Sequence, residues 1–337
     1  MIDLDPEGGH VAVRDRAAAA LAAEVGHDLA VWATVDPATV MTTSCRLYGA
    51  SRDRALEADV LAHEYAPDPD VLCYADLAAG PLVGTVHRAT AGDPARSARH
   101  REVLAPRGFT DHLRLVLHDG RTAWGVVDLL RAGSVFDDRE VATAVAAGRP
   151  VALALRAAMT SARAAGAPTD AVTAAVDVEG SGLVLCDRDG RVLEVSAEAR
   201  ELLGAEDLPA AVTALVAARR SRAPRPPSLS APTVAGRWLT FAATDLGAGH
   251  VAVVVDPIRP SRFADVVARA RGLSGREQEV LAELARGRSN KQIARALRLS
   301  EWTVQDHVKA VLGKFGVSGR SELQAALYSG HYAPLHP

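Results

Sequence analysis

Leu273-Ser274-Gly275-Arg276-Glu277-Gln278-Glu279-Val280-Leu281 opens the stretch, ending near Leu327, whose residue spacing decides how the chain is read. Ser274 and Glu277 stand three residues apart, the spacing of a capping box. The hydroxyl can accept from the backbone at Glu277 while the carboxylate reaches back to the backbone at Ser274. Val280, Leu281 and Leu284 then give a short helix one apolar face, and Gly287 supplies the left-handed residue that ends it. Ser289 and Gln292 repeat the box and open a second helix carrying Ile293 and Leu297. Arg298-Leu299 makes the turn. Ser300 caps a third helix, with Glu301 in its first turn, running to about Phe315.

The third helix has two unlike faces. Val304, Val308, Val311, Leu312 and Phe315 form an apolar stripe that must pack on the first two helices. Trp302, Gln305, Asp306, Lys309 and Gly313 lie opposite, with Thr303, His307 and Lys314 on the boundary. Two short helices and a tight turn, the second presenting hydrogen-bonding groups, match a helix-turn-helix that fits a major groove. Periodicity alone fits a small helical bundle with a solvated polar face equally well.

The residues themselves separate the two readings. The quoted opening, Gly287, Ser289-Asn290-Lys291-Gln292-Ile293-Ala294 and Ser300-Glu301-Trp302-Thr303-Val304-Gln305-Asp306-His307-Val308-Lys309 resemble the LuxR-type DNA-binding domain. The resemblance implies a four-helix module over residues 273–330 that docks its third helix in the major groove and pairs through its fourth. Gln305, Asp306 and Lys309 are then expected to face base edges. Asn290, Lys291, Thr303, His307, Lys314 and Arg320 are expected at the phosphate backbone. Three positions depart from the family pattern: Gly275 replaces the usual proline, Gln292 the usual glutamate, and Gly319 a better N-cap. The implied partners are double-stranded DNA and a second copy of the chain.

Charge is divided along the chain. Residues 262–337 hold 12 Lys and Arg against 7 Asp and Glu, a balance of +5, leaving 26 against 34, or −8, for the rest. The near-neutral total of −3 therefore does not argue against nucleic acid. All three lysines, Lys291, Lys309 and Lys314, lie in the decisive stretch. None has the context of a Gly-x-x-x-x-Gly-Lys-Ser/Thr phosphate loop, which excludes that ATPase class. Gly-x-Ser-x-Gly and His-Glu-x-x-His are absent too, and no catalytic residue is assigned. Cys45, Cys73 and Cys186 are odd in number and far apart, so neither a disulfide framework nor a zinc site is expected. No cofactor or metal is assigned. The acidic start and the lack of an apolar run of about 18 residues predict a cytoplasmic chain without membrane contact.

The 337-residue chain has room for further domains. A helix is predicted from Arg14 to Gly26, a strand from Leu29 to Thr34, helices over Arg52–Tyr65 and Ser97–Leu104, and a hairpin pairing Asp111–His118 with Arg121–Leu130 around Asp119-Gly120. Asp137 caps a long helix through Leu155, in which Gly148 and Pro150 threaten a kink or a break. With Asp36-Pro37-Ala38-Thr39, Ala95-Arg96-Ser97-Ala98-Arg99, Trp124-Gly125 and Phe136, residues 10–160 resemble the GAF-type module of actinobacterial LuxR-type regulators. Such a module implies a pocket between sheet and covering helices for an unidentified small molecule or protein partner. Trp32, His63, Tyr65, Cys73, Tyr74, His87 and His112 are the candidate lining residues, each also readable as a packing or surface residue.

Residues 161–175 read as a linker. Strand Gly182–Asp187, a turn at Arg188-Asp189-Gly190-Arg191, strand Val192–Val195 and a helix capped by Ser196 and stopped by Gly204 resemble the opening of a PAS domain over 176–257. Val234–Phe241 and Gly249–Asp256 are further strands there, with Arg219–Pro232 as an exposed loop. Residues 258–272 form a linker helix, and the Gly330–Pro334 tail reads as too polar for core. The expected class is α+β: two antiparallel-sheet sensor domains followed by an all-α DNA-binding domain. Two rivals stand beside it, a thiol-dependent GAF-type enzyme using Cys45 or Cys73, and an interaction scaffold that binds DNA weakly.

Overall fold

The computed structural model describes residues 4–49, 54–160, 180–187, 190–204, 210–220, 228–247 and 249–329. The expected linker at 161–175, the Arg188-Asp189 half of the turn, residues 221–227 of the expected loop and the tail beyond 329 lie outside them. The chain divides into two compact units. One holds both sheets, and the other takes, among the described residues, Thr160 and the chain from Ile258 on.

In the first unit, α1 (Gly9–Glu24), β1 (Leu29–Val35), β2 (Thr42–Gly49), α2 (Arg54–Glu64), α3 (Tyr74–Ala79), β3 (Val83–Thr85), α4 (Val86–Ala89), β4 (Asp111–His118), β5 (Ala123–Arg131) and α5 (Asp138–Thr160) follow in order. The five strands form an antiparallel sheet in the order β2-β1-β5-β4-β3. The hairpin lies where Asp119-Gly120 predicts it. Its second strand starts at Ala123 because the Asp119 carboxylate accepts from the backbone of Arg121 (2.8 Å) and Thr122 (2.9 Å), holding them in the turn. The helix expected over Ser97–Leu104 is present, helical from residue 98 and widened at His100–Leu104 before a last tight turn at Ala105–Arg107. α5 runs through Pro150 unbroken. Gly148 packs over Leu115, where an added Cβ would make an ordinary contact at 3.6 Å. By length and composition alone α5 is apolar enough to cross a membrane, yet Val151, Ala152, Leu155 and Met159 lie in the core.

One face of this sheet buries charge. Arg114 and Asp128 are directly opposed on β4 and β5. Arg114 Nε donates to Asp128 Oδ1 (3.0 Å), and its Nη1 donates to Glu64 Oε2 and to the Leu72 carbonyl (both 2.7 Å). Glu64 Oε1 accepts from Tyr74 N (2.7 Å), Tyr74 Oη donates to Asp128 Oδ2 (2.8 Å), and the Arg114 guanidinium stacks 3.7 Å from the Tyr74 ring centre. Arg99, fully buried, donates to the Val71 carbonyl (2.8 Å) and lies 3.6 Å from Glu64. Two cations thus face two carboxylates, and the network ties α2, α3 and the sheet together. Burial raises the Asp128 pKa, but Arg114 and His112 outweigh it, so the carboxyl sits well below its usual range. Burial lowers His112 to about 4, so it is neutral at pH 7.

The second sheet contains β6 (Gly182–Cys186), β7 (Val192–Val195), β8 (Ser228–Pro232), β9 (Trp238–Gly247) and β10 (His250–Pro257), all antiparallel in the order β7-β6-β10-β9-β8. α6 (Ala197–Leu203) and α7 (Ala210–Arg220) cover it. Ser196 caps α6 by accepting from Ala199 N, and Gly204 ends it in the left-handed region. Two expectations need correction. Ser228–Pro232, the end of the expected loop, is an edge strand: Leu229, Ser230 and Ala231 are buried, and Ser230 N donates to Asp36 Oδ2 (2.9 Å). An edge tolerates Pro232, which has no N–H for a ladder. The strand expected at Val234 starts at Trp238, because Thr233 to Gly236 form a turn closed by Gly236 N to Thr233 O. Met41, Leu61 and Tyr65 belong to the apolar core beneath this second sheet, so the two sheets are packed parts of one unit.

Arg114→Leu leaves Asp128 and Glu64 buried short of a cation, which costs about 3–5 kcal/mol. Urea melts of the full chain are expected to show that loss; a change under about 1 kcal/mol would mean the network does not hold the sheet.

Candidate nucleic-acid interface

The second unit is all helical: α8 (Pro260–Ala270), α9 (Gly275–Ala285), α10 (Asn290–Leu297), α11 (Glu301–Phe315) and α12 (Arg320–Ser329). These helices are 8 to 15 residues long, and isolated helices of this length are marginal in water. Their ends must therefore be satisfied and one face of each buried. Both expected capping boxes form: Ser274 N donates to Glu277 Oε2 (2.6 Å), and Ser289 N donates to Gln292 Oε1 (2.9 Å). Gln292 thus closes its box as a glutamate would. Ser300 Oγ accepts from Thr303 N at 3.0 Å to cap α11.

The turn between α10 and α11 is short because Arg298 takes the left-handed conformation (φ 53°) and Leu299 N donates back to Ala294 O at 2.9 Å. Arg276 Nη2 bonds the Leu297 carbonyl (2.6 Å), satisfying the end of α10 from the first turn of α9. Val280, Leu281, Leu284, Ile293, Val304, Val308, Val311, Phe315 and Leu323 close one apolar core. This is the helix-turn-helix arrangement, with α12 packed against α11 and α8.

The polar residues of α11 divide by what they touch. Gln305, Asp306 and Lys309 are exposed on the face opposite the core, and none makes a side-chain bond among the described residues. Lys291 is exposed at the first turn of α10, and His307 is half-buried beside Val308. The Thr303 hydroxyl lies 2.7 Å from Ser300 Oγ. The other three expected backbone residues have work inside the fold. Lys314 Nζ bonds Glu277 Oε2 (2.6 Å) and the Gly272 carbonyl (3.0 Å). Arg320 bonds the Arg288 carbonyl (2.7 Å) and Asn290 Oδ1 (2.5 Å), tying α12 to the start of α10. Burial raises the Glu277 pKa, but Lys314 and Ser274 outweigh it, so this carboxyl stays ionised below the usual range.

The expected sensor-pocket residues do not converge on one place. Tyr74 and His112 share the charged face of the first sheet, and His112 Nε2 lies 3.4 Å from Asp128 Oδ1. Cys73 adjoins them, its thiol 3.2 Å from the Asp70 carbonyl. Trp32 alternates to the opposite face from Ala33, which packs with Tyr74. Tyr65 bonds Thr42 and joins the core of the second sheet. His63 lies 3.7 Å from Glu102 on the surface side of α2, and His87 is half-buried at α4. Glu64, Arg99, Arg114 and Asp128, absent from the expected lining, dominate that face. For Arg114 and Asp128 the signal in the sequence was a charge inside an apolar strand, Leu113-Arg114-Leu115 and Val127-Asp128-Leu129.

Burial pushes the Cys73 and Cys186 thiols up to about 11 and raises Cys45 as well. A nucleophilic thiol needs the opposite shift. Among the described residues no group of three or more His, Cys, Asp or Glu has metal-ligand geometry.

Residues 271–326 match the family described as bacterial regulatory proteins, luxR family. The spore germination protein GerE of Bacillus subtilis is 42% identical over 50 residues, 15% of this chain and 68% of GerE. The transcriptional regulatory protein YhcZ of the same species is 50% identical over 60 residues, 18% of this chain and 27% of YhcZ. A solved LuxR-type receptor, the Vibrio cholerae VqmA dimer, aligns at 19% identity and a TM-score of 0.18 over 44% of this chain and 81% of that one, too slight a likeness to bear on the fold. The chain belongs to the luxR family of bacterial regulatory proteins, and its match spans about a quarter of YhcZ.

Glu277→Ala removes the side-chain half of the α9 capping box and the partner of Lys314 together, while Ser274 still caps the helix, so a loss of about 2 kcal/mol is expected. Thermal melts followed through the helical signal would reveal it. A midpoint equal to wild type would show that the box and the ion pair are ornamental.

Proposed function

We propose that this chain is a sequence-specific DNA-binding transcription regulator that acts as a homodimer in the cytoplasm. The observation that carries the reading is the unemployed face of α11: Gln305, Asp306 and Lys309 are exposed and unbonded, while the opposite face is fully committed to core. A helix displaying amide, carboxylate and ammonium groups at this spacing suits the donor and acceptor pattern of a major groove. Gln305 pairs with an adenine edge, Asp306 accepts from a cytosine amino group, and Lys309 reaches guanine or phosphate. Asp306 costs affinity among phosphates, so it acts on discrimination. Lys291, Thr303 and His307 meet the backbone. Asn290, Lys314 and Arg320 hold the helices that present this surface, and α12 supplies the dimer contact. The +5 balance of residues 262–337 supports the reading.

The two-sheet unit is the regulatory half, GAF-like in its first sheet and PAS-like in its second. Its ligand or protein partner biases how the DNA-binding units are presented. The raised thiols weigh against the thiol enzyme.

Selection of random duplex DNA by the full chain at fixed salt is expected to enrich one motif with two half-sites. On that site Lys309→Ala should lower affinity and reduce the slope of log K against log salt by about one. Failure to enrich any motif would refute the reading; an unaltered slope would remove Lys309 from the phosphates.

A further inference from the structure

Trp302 stands outside everything assigned so far. It lies in the first turn of α11 and is 74% exposed, whereas the other three tryptophans, Trp32, Trp124 and Trp238, are buried. It makes no ring or hydrogen-bond contact among the described residues. Gln305, Asp306 and Lys309 follow it at i+3, i+4 and i+7, which places all four on one strip of helix surface. The strip is otherwise polar, so the indole is a single large apolar group set at the end of a hydrogen-bonding row.

The major groove offers one apolar feature among its donors and acceptors, the 5-methyl group of thymine. We propose that Trp302 is a specificity-determining residue that reads a thymine methyl in each half-site; this rests on the DNA-binding reading of α11. A helical side chain leans toward the N-terminus of its own helix, so the indole covers the groove beyond the N-terminal end of the strip. Three to four residues of helix rise about 4.5–6 Å, against a rise of about 3.4 Å per base pair. The thymine therefore lies about one to two base pairs outside the pair met by Gln305 and Asp306. The polar members of the strip fix hydrogen-bonding letters of the site, while Trp302 adds one by shape and apolar contact. That contact repays the cost of an indole held in water.

The experiment starts from the site enriched by the full chain. Each thymine is replaced in turn by deoxyuridine, which removes the methyl and leaves every hydrogen-bonding group in place. Wild type is expected to weaken about fourfold at one thymine per half-site, the effect of one methyl-sized apolar contact. Trp302→Ala should bind the thymine and uracil duplexes equally while keeping the salt slope and melting midpoint of wild type. Trp302→Phe should restore part of the methyl preference.

A motif with no methyl effect at any thymine, or a methyl penalty of the same size in wild type and Trp302→Ala, overturns the assignment and leaves the DNA-binding reading intact. Uniformly weaker binding of Trp302→Ala, with its thymine preference unchanged, also overturns it and makes Trp302 a backbone or protein contact. If no motif is enriched, both readings fall together.

Discussion

The Glu277 carboxylate holds the geometry on which the rest of the helical unit depends. One oxygen accepts from the Ser274 backbone at the start of α9 and from Lys314 Nζ near the end of α11, and Lys314 also bonds the Gly272 carbonyl. A single ionised group thus satisfies a helix end and fixes the orientation of α11 against α9. Arg276 does the same between α9 and the end of α10, and Arg320 between α12 and Asn290. Charge that a sequence reading gives to phosphate is in this way spent on aligning four short helices. What remains free is the strip from Trp302 to Lys309.

The division of labour follows from length. Helices of 8 to 15 residues cannot hold a recognition surface by propensity alone. Caps, cross-helix bonds and a small core replace it. The price is that Asn290, Lys314 and Arg320 are tied down, while Gln305, Asp306 and Lys309 keep their donors and acceptors for a partner. In the sheet unit the opposite choice is made. Arg114, Asp128, Glu64 and Arg99 are withdrawn from solvent and pair with one another across strand, helix and loop.

Legibility in the sequence tracked how local each signal was. Both capping boxes, the αL stop at Gly287, the Asp119-Gly120 hairpin and the Ser196-to-Gly204 helix are set by residues within a few positions, and each lies where its spacing places it. β2 was missed because Thr42-Thr43-Ser44-Cys45-Arg46 lacks apolar alternation; it is an edge strand held by β1. α7 was missed because Ala210 to Ala218 is apolar nearly all round, the mark of a buried helix without a period. β8 hid behind serine and proline, and its place comes from β9 and from Asp36, almost two hundred residues away. The buried ions were least legible. Whether a charged side chain in a strand points to water or to a partner such as Glu64 depends on contacts that no local window contains.

The most direct test of a major-groove role for α11 is dimethyl sulfate protection on the enriched duplex. Guanine N7 reports the major groove, and adenine N3 reports the minor groove. Bound protein is predicted to shield guanine N7 within each half-site and leave adenine N3 reactive. Protection of adenine N3 with guanine N7 still open would contradict the docking of α11.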